Sequence, residues 1–492
     1  MKTASVMLGV LLALAAAPAA RAAPNAPPTP CRLPGVEHEA LCGHVTRPLD
    51  PSRPTGTTIQ VHFAVLPALA RNKKPDPVLF FAGGPGQSAI DVAPAVAAML
   101  ARFTNRRDIV LIDQRGTGKS APLACDDDDA SLPLAEQIDP ARQRQRIEAC
   151  LERLRALPHG DLRFYTTTIA AADADAVRAA LGAERVNLVG GSYGTRAALE
   201  YQRQFPQRVR RAVIDGVAPP DMVLPASFST DNQAALDALF NACVEDAACA
   251  KREPQLAVRW RALLAALPKT VTLVHPVTGR SEALALTHQA VVAMVRGPLY
   301  VPTLASALPS AIGEATRGRF EPLAALASAF GGGRRAMRPA AGMHFAVVCA
   351  EDFPRLPETR DAPGVDFGAA FASLYAEVCP RIPRAEVPAA FYGVPAAPAA
   401  TLVLSGGLDP VTPPRHGERV TTALGAKARH VVVPNAGHGV MAIGCMRDVL
   451  YRFVDAPSDD EALKVDASCV TSMPRPPMFA LPGPVAAPGA SK

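Results

Sequence analysis

The stretch that decides the fold is Val189-Gly190-Gly191-Ser192-Tyr193-Gly194-Thr195. Residues 185–189 form an apolar run that predicts a buried strand, and residues 196–203 predict a helix. A serine in the pattern Gly-x-Ser-x-Gly between a strand and a helix is forced onto a sharp turn, which projects its hydroxyl above the sheet. The N-terminus of the helix adds partial positive charge beside that hydroxyl. The stretch therefore predicts that Ser192 is a nucleophile on a strand-turn-helix elbow.

The bulk composition is that of a globular protein. The chain has 492 residues, of which 49% are hydrophobic and 20% are charged, and its formal net charge is +6. A chain of this length is expected to form two or three domains. Because the basic residues form no block, nucleic acid is not expected as a partner.

The N-terminus has the features of a secretory signal. Lys2 precedes an apolar run at residues 6–17 that is too short to span a bilayer, and Ala20-Arg21-Ala22 fits a small-x-small cleavage site. The alternative, a buried N-terminal helix, is disfavoured because Pro18 interrupts the run. We therefore predict a signal peptide at residues 1–22 and an exported protein, periplasmic or secreted, with no further membrane segment.

Ten cysteines follow the predicted signal, an even number that favours disulfides in an exported chain. Their simplest connectivity is nearest-neighbour pairing along the chain, although ten cysteines allow many others. No two of them have the spacing of zinc ligands. The cysteines are Cys31, Cys42, Cys125, Cys150, Cys243, Cys249, Cys349, Cys379, Cys445 and Cys469.

Short apolar runs separated by helical patterns predict a mainly parallel sheet with helices on both faces. The predicted strands lie at residues 57–65, 77–81, 108–112, 185–189, 211–215, 401–404 and 430–433. Between about residues 221 and 395 this alternation stops and helical runs dominate, which predicts an inserted, mostly helical cap. The expected organisation is a core at 23–220 and 396–472, a cap at 221–395, and a Pro- and Ala-rich tail at 473–492.

A nucleophilic serine needs a base, and the base needs an acid to orient it. In the fold that the elbow indicates, the chain order is serine, acid, histidine. Asp409 follows the strand at 401–404, and His438 follows the next strand, so parallel strands would bring both to one edge of the sheet. The alternatives are a turn-initiating Asp409 before a proline, a structural His438, and Asp215 as a rival acid.

Two backbone N–H groups are expected to form the oxyanion hole. Tyr193 follows the nucleophile, and Gly84 lies in Gly83-Gly84-Pro85-Gly86, where glycines let the backbone approach a substrate. Gly83 is the second choice, and an ordinary Gly-Pro turn is the alternative. Neither a phosphate loop at Gly118-Lys119-Ser120 nor a calcium loop at residues 126–129 fits its motif. We therefore predict no cofactor and no metal.

Four blocks together resemble the exported α/β-hydrolase-fold serine aminopeptidases, the prolyl and tripeptidyl aminopeptidase-like group. The blocks are Gly83-Gly84-Pro85-Gly86, Asp113-Gln114-Arg115-Gly116-Thr117-Gly118-Lys119-Ser120, Gly190-Gly191-Ser192-Tyr193-Gly194, and the loops of Asp409 and His438. The prolyl branch usually has His before its Gly-Gly-Pro-Gly, where this chain has Ala82. That difference favours the tripeptidyl-like branch.

The resemblance implies cleavage of peptides from a free N-terminus, and such enzymes need an anion to hold the substrate ammonium group. Val348-Cys349-Ala350-Glu351-Asp352-Phe353 resembles the acidic block after a cysteine in the family's cap. Glu351, with Asp352 as second choice, is the expected anchor, whereas a solvated acidic patch is the alternative.

The leading hypothesis is therefore a secreted serine exopeptidase that releases single residues or short peptides, possibly tripeptides. A carboxylesterase or lipase with the same triad is the second hypothesis, since an apolar funnel in the cap would favour lipids over peptides. A catalytically idle binding protein on this fold is the third, and the intact Ser192, Asp409 and His438 argue against it.

Overall fold

The computed structural model describes residues 26–125, 131–331 and 339–479. The predicted signal peptide at 1–22, the acidic run at 126–129 and the end of the predicted tail, from residue 480 onward, lie outside the described residues. Within them, no helix is both long enough and apolar enough to cross a membrane.

One sheet dominates the described part of the chain. It has nine strands in the order β1-β2-β3-β5-β4-β6-β7-β10-β11, and β8 pairs only with β9. The strands are β1 (Thr29–Cys31), β2 (Ala40–Pro48), β3 (Thr58–Leu66), β4 (Val78–Phe81), β5 (Ile109–Ile112), β6 (Val186–Gly191), β7 (Val209–Asp215), β8 (Lys269–Val274), β9 (Ser281–Leu286), β10 (Thr401–Gly406) and β11 (Ala428–Val433).

Six neighbouring strands of this sheet, in the spatial order β5, β4, β6, β7, β10 and β11, pair in parallel. At the other side, β1, β2 and β3 pair antiparallel, and β3 joins β5 in the same antiparallel manner. The prediction of a mainly parallel sheet is confirmed. Every residue of β4 and β5 is buried. Burial on both faces explains why these strands are continuous apolar runs rather than alternating ones.

Helices cover both faces of the sheet. Successive residues of β4 enter two separate cores, with Leu79 and Phe81 in one and Val78 and Phe80 in the other. The helices are α1 (Ala93–Met99), α2 (Leu134–Ile138), α3 (Pro140–Arg155), α4 (Thr167–Ala180), α5 (Tyr193–Gln204), α6 (Leu224–Glu245), α7 (Ala247–Arg252), α8 (Leu256–Ala265), α9 (His288–Leu299), α10 (Pro302–Ala305), α11 (Leu308–Thr316), α12 (Glu321–Gly331), α13 (Ala341–Glu351), α14 (Ala370–Val378), α15 (Pro414–Leu424), α16 (Met446–Asp455) and α17 (Asp459–Leu463).

The chain between β7 and β10 leaves the sheet and returns to it. This insertion holds α6 to α14 and has a hydrophobic core of its own, which includes Trp260, Val291 and Ile312. It also contains the β8–β9 hairpin, which the sequence did not indicate because most residues of β8 are exposed. The residue bounds of a separate cap domain stay a prediction.

The five disulfides join neighbouring cysteines, so the predicted nearest-neighbour pairing is confirmed. The pairs are Cys31–Cys42, Cys125–Cys150, Cys243–Cys249, Cys349–Cys379 and Cys445–Cys469. They close sequence separations of 6 to 30 residues. By loop entropy each stabilises the fold by roughly 2–4 kcal/mol.

The glycines of the elbow allow its three elements to touch. A Cβ on Gly194 would lie 2.1 Å from the Phe81 carbonyl oxygen of β4, whereas a Cβ on Gly191 would meet nothing closer than the Met441 Cε at 3.7 Å. Gly194→Ala is therefore expected to destabilise the protein by about 1–3 kcal/mol or to prevent folding, since backbone must move. Urea unfolding followed by circular dichroism measures this change.

Gly191→Ala is the matched control from the same turn, and we expect it to cost far less because its Cβ has room. Equal unfolding midpoints for the two variants would contradict the close approach of β4, β6 and α5.

Candidate active site

Ser192 occupies the turn between β6 and α5 with φ 56° and ψ −126°. This left-handed conformation is strained for a residue with a side chain. The Ser192 N–H donates to the Asp215 carbonyl oxygen of β7 at 2.9 Å, and the Thr195 hydroxyl donates to the Ser192 carbonyl oxygen at 2.6 Å. An ordinary serine at a helix start caps the helix with its hydroxyl. The Ser192 side chain makes no such cap, so its hydroxyl is not used by the helix.

His438 and Asp409 meet at the carboxyl edge of the sheet, beyond β11 and β10. His438 Nδ1 lies 2.8 Å from Asp409 Oδ2. The Asp409 side chain is fully buried, whereas that of His438 retains 16% exposure. When Nδ1–H donates to the carboxylate, Nε2 is left as the acceptor that a base needs.

The Asp409 carboxylate is also held by its own loop. Its Oδ1 accepts from the N–H groups of Val411 and Thr412, both at 2.9 Å, and its Oδ2 accepts from the Thr412 hydroxyl at 2.7 Å. Asp409 therefore forms a turn and orients His438 at once, so the two interpretations of this residue are not exclusive.

The electrostatic interaction between Asp409 and His438 favours an ionised Asp409 carboxylate and makes the His438 imidazole more basic. Burial alone would raise the pKa of Asp409, but His438 and the hydrogen bonds of the loop lower it below its usual value. Burial opposes protonation of His438, yet the Asp409 carboxylate outweighs burial and raises the His438 pKa above 6.5.

Asp215, the rival acid, has a different position. Its Oδ2 accepts from the backbone N–H groups of Val440 and Met441 at 2.6 and 2.9 Å, just after His438. Its backbone carbonyl meanwhile holds Ser192. Burial raises the pKa of Asp215 to about 6. Asp215 thus joins the elbow to the histidine loop through backbone contacts, whereas Asp409 contacts the His438 ring.

The glycine loop after β4 lies against the elbow. A Cβ on Gly83 would sit 3.1 Å from the Ser192 Cβ. The Gly83 N–H donates to Gln87 Oε1 at 3.3 Å, whereas Gly84, with φ 112°, is exposed. Tyr193 is the first residue of α5, so its N–H has no acceptor inside the helix. The assignment of Gly84 and Tyr193 as oxyanion donors stays a prediction, and the Gly83 N–H already has an acceptor in Gln87.

The insertion contacts the site from two sides. The Tyr300 carbonyl accepts from the His438 N–H at 3.0 Å, and the Tyr300 ring meets the His438 ring edge-on at 5.3 Å between centroids. The Ala340 N–H donates to the Gly86 carbonyl at 2.8 Å. His344 Nε2 lies 2.8 Å from the Tyr375 hydroxyl, and burial lowers the pKa of His344 to about 4.

The expected ammonium anchor requires a correction. Glu351 and Asp352 are each 1% exposed, and both contact the fully buried guanidinium of Arg196. Arg196 Nη1 and Nη2 donate to the two Asp352 oxygens at 3.0 Å each. A substrate ammonium therefore cannot reach these carboxylates as they lie, because an internal cation already pairs with them.

Sequence reasoning missed the partners of the predicted residues. Thr412 bridges Asp409 and His438, and its spacing of three from an aspartate is a turn signal that could have identified it. Asp215 was considered only as a rival acid, and its contacts with the Ser192 and Val440 N–H groups had no sequence signal. Tyr300 and Arg196 carry no local signal, since each contacts residues distant in sequence.

Comparison with known proteins identifies the family. Residues 76–443 match the family model described as the α/β hydrolase fold. The match covers most of the chain and spans the elbow, the glycine loop, Asp409 and His438. The protein therefore belongs to the α/β hydrolase fold family.

Curated relatives match smaller parts of the chain. Serine protease Hip1 of Mycobacterium tuberculosis is 33% identical over 213 residues, 39% of this chain and 39% of that protein. Tripeptidyl aminopeptidase of Streptomyces coelicolor is 34% identical over 195 residues, 36% of this chain and 35% of that protein. Carboxylesterase B of M. tuberculosis is 29% identical over 227 residues, 42% of each. The chain thus spans about two fifths of the length of these relatives.

The two candidate acids provide a matched pair of substitutions. Asp409→Asn is expected to lower kcat by about 1,000- to 10,000-fold, because the amide no longer holds the correct His438 tautomer. Asp215→Asn keeps an acceptor for the loop amides and is expected to cost far less. The assay is hydrolysis of 4-nitrophenyl acetate by purified variants. A larger loss for Asp215→Asn would contradict the assignment.

The raised pKa of His438 predicts the pH profile. The base must be neutral, so kcat/KM should fall as the pH falls through the His438 pKa, with the midpoint above 6.5. Below that midpoint the expected fall approaches about tenfold per pH unit. Initial rates in constant-ionic-strength buffers measure the profile. A midpoint well below 6.5 would contradict the coupling of His438 to ionised Asp409.

Proposed function

We propose that this protein is an exported serine hydrolase in which Ser192, His438 and Asp409 form a catalytic triad. The proposal rests on two features of one site, the strained turn at Ser192 and the contact between His438 and Asp409. Ser192 stands on a left-handed turn with its hydroxyl unused by the helix, and His438 Nδ1 lies 2.8 Å from buried Asp409. Asp215 joins the two loops, so both features belong to one site.

In this mechanism His438 Nε2 takes the proton of Ser192 Oγ as that oxygen attacks the substrate carbonyl. The N–H groups of Tyr193 and Gly84 stabilise the oxyanion, aided by the N-terminus of α5. His438 then gives the proton to the leaving amine or alcohol, and the C–N or C–O bond breaks. The acyl group remains as an ester on Ser192 until water, deprotonated by His438, releases it.

We propose further that the substrates are peptides. Support comes from the two peptidase relatives, a serine protease and a tripeptidyl aminopeptidase, together with the four sequence blocks. On this proposal the enzyme removes residues or short peptides from free N-termini. Arg196 already pairs with Glu351 and Asp352, so on this proposal another group contacts the substrate ammonium.

Export is part of the same proposal. Five disulfides among the described residues suit an oxidising compartment, and residues 1–22 have the pattern of a signal peptide. Mass spectrometry of the protein released from an expressing cell would identify its N-terminus, which is expected at residue 23.

An esterase is the second candidate function. The relative named Carboxylesterase B supports it, and the triad chemistry acts equally on esters. The two functions differ in the leaving group, an amine or an alcohol, and in the need for a free amino group on the substrate.

Matched chromogenic substrates separate these functions. The set holds amino-free and amino-blocked 4-nitroanilides of one and three residues, beside a short-chain 4-nitrophenyl ester. We expect cleavage of the amino-free anilides, with a preference for three residues. Ester turnover without amide turnover would contradict the peptidase and leave the esterase.

Ser192→Ala should abolish turnover of every substrate. Ser229→Ala is the matched control, because it removes a buried hydroxyl that donates to the Gly368 carbonyl and accepts from the Gly364 N–H, both within the insertion. Full activity in Ser192→Ala would overturn the triad itself.

A further inference from the structure

A buried polar cluster lies directly beneath the elbow and has no role in the mechanism described so far. The Thr167 N–H at the start of α4 donates to Glu351 Oε1 at 2.6 Å, and the Thr167 hydroxyl donates to Glu351 Oε2 at 2.9 Å. The Thr167 oxygen also lies 2.6 Å from the Tyr193 hydroxyl. The Thr167 hydroxyl has only one proton, and it donates that proton to the Glu351 carboxylate. The Tyr193 hydroxyl must therefore be the donor to the Thr167 oxygen.

The cluster therefore forms a chain from the insertion to the residue after the nucleophile. It runs from Glu351 through Thr167 to the Tyr193 ring. Each of these residues is at most 2% exposed. Tyr193 is the residue whose backbone N–H is the proposed oxyanion donor, so the chain ends on the reacting part of the elbow.

Arg196 adds a second attachment to the same helix. It stands one turn after Ser192 and pairs with both Asp352 oxygens and with Glu351 Oε2 at 3.4 Å. Its Nη2 also donates to the carbonyl oxygens of Pro219 and Met222, between β7 and α6. The first turn of α5 is thus held through side chains by α4, by α13 and by the start of the insertion.

Burying the charged side chains of this cluster costs desolvation free energy, which packing alone would not require. One buried arginine faces two buried carboxylates, and desolvation of such groups offsets most of their attraction. The N-terminus of α4 contributes a favourable dipole to the Glu351 carboxylate, which reduces this cost. Hydrogen bonds give orientation, which apolar side chains of the same volume would not supply.

We propose that Glu351 is a positioning residue that orients the Tyr193 oxyanion donor through Thr167 and the Tyr193 hydroxyl, with Arg196 and Asp352 clamping the same helix. This inference rests on the proposed function, since it assigns a role in stabilising the oxyanion. It makes the insertion a part of the catalytic elbow rather than a cover over it.

Two substitutions at Thr167 test the chain with little change of volume. Thr167→Val removes the hydroxyl that links Glu351 to Tyr193, and Thr167→Ser keeps it. With 4-nitrophenyl acetate as substrate we expect Thr167→Val to lower kcat about tenfold with KM nearly unchanged. Thr167→Ser is expected to retain nearly the full rate.

Benzeneboronic acid supplies the readout that a merely structural role would not change. It forms a tetrahedral adduct with a serine nucleophile, so its affinity reports on the oxyanion hole. Thr167→Val and Glu351→Gln should weaken its binding by about the same factor as they lower kcat. Rates are normalised to active sites counted with a fluorophosphonate, which removes the effect of misfolded protein.

If Thr167→Val fails to fold, Tyr193→Phe is the second variant. The Tyr193→Phe change removes only the terminal hydroxyl of the ring. We expect it to lower kcat and boronate affinity about threefold. Glu253→Gln is the matched control. Glu253 is also a buried acid of the insertion, paired with Arg317 at 2.8 Å, and its contacts lie outside the elbow.

The results of these experiments distinguish failure of the positioning role from failure of the proposed function. Unchanged kcat and boronate affinity in Thr167→Val, Glu351→Gln and Tyr193→Phe, even with a lower Tm, would overturn the positioning role. A rise in KM at constant kcat would also overturn it, because orientation of the oxyanion donor acts on kcat. Activity in Ser192→Ala, by contrast, would overturn the proposed function and not the cluster alone.

Discussion

The left-handed turn at Ser192 is the constraint on which the rest of the structure depends. A non-glycine residue at φ 56° persists only where its surroundings hold it. Here β4 and α5 approach so closely that Gly194 has no room for a Cβ, and the Asp215 carbonyl binds the Ser192 N–H. The sheet order sets this arrangement, because β6 lies between β4 and β7. Asp215 also binds the N–H groups of Val440 and Met441, so the same strand end joins the strained turn to the histidine loop.

The insertion contributes to the site as well as to its surroundings. Tyr300 binds the backbone of His438, Ala340 binds the glycine loop, and Glu351 contacts Arg196 of α5. Each contact joins the insertion to a different element of the candidate site. The junction between the insertion and the sheet buries the charged groups of Arg196, Glu351 and Asp352, and their desolvation offsets much of their mutual attraction.

The parallel sheet could be predicted, and the contact between Asp409 and His438 could be anticipated, because the signals for both are local. Strands buried on both faces are unbroken apolar runs, and Asp409 follows such a strand, β10. His438 follows the edge strand β11, whose run of three valines gave the signal. The β8–β9 hairpin lacked this signal because it is mostly exposed. Glu351 was misjudged because an acid facing a substrate and an acid paired internally look alike in sequence. Its partner Arg196 lies 155 residues away, so only the folded chain distinguishes them.

The central claim is that Ser192 is a nucleophile activated by His438. Reaction with a fluorophosphonate, followed by intact mass and peptide mapping, tests it most directly, since only an activated serine reacts rapidly. We expect one adduct per chain, located on Ser192 and absent from the folded His438→Ala variant. An adduct on another residue, or unmodified Ser192 in a preparation that still hydrolyses esters, would contradict it.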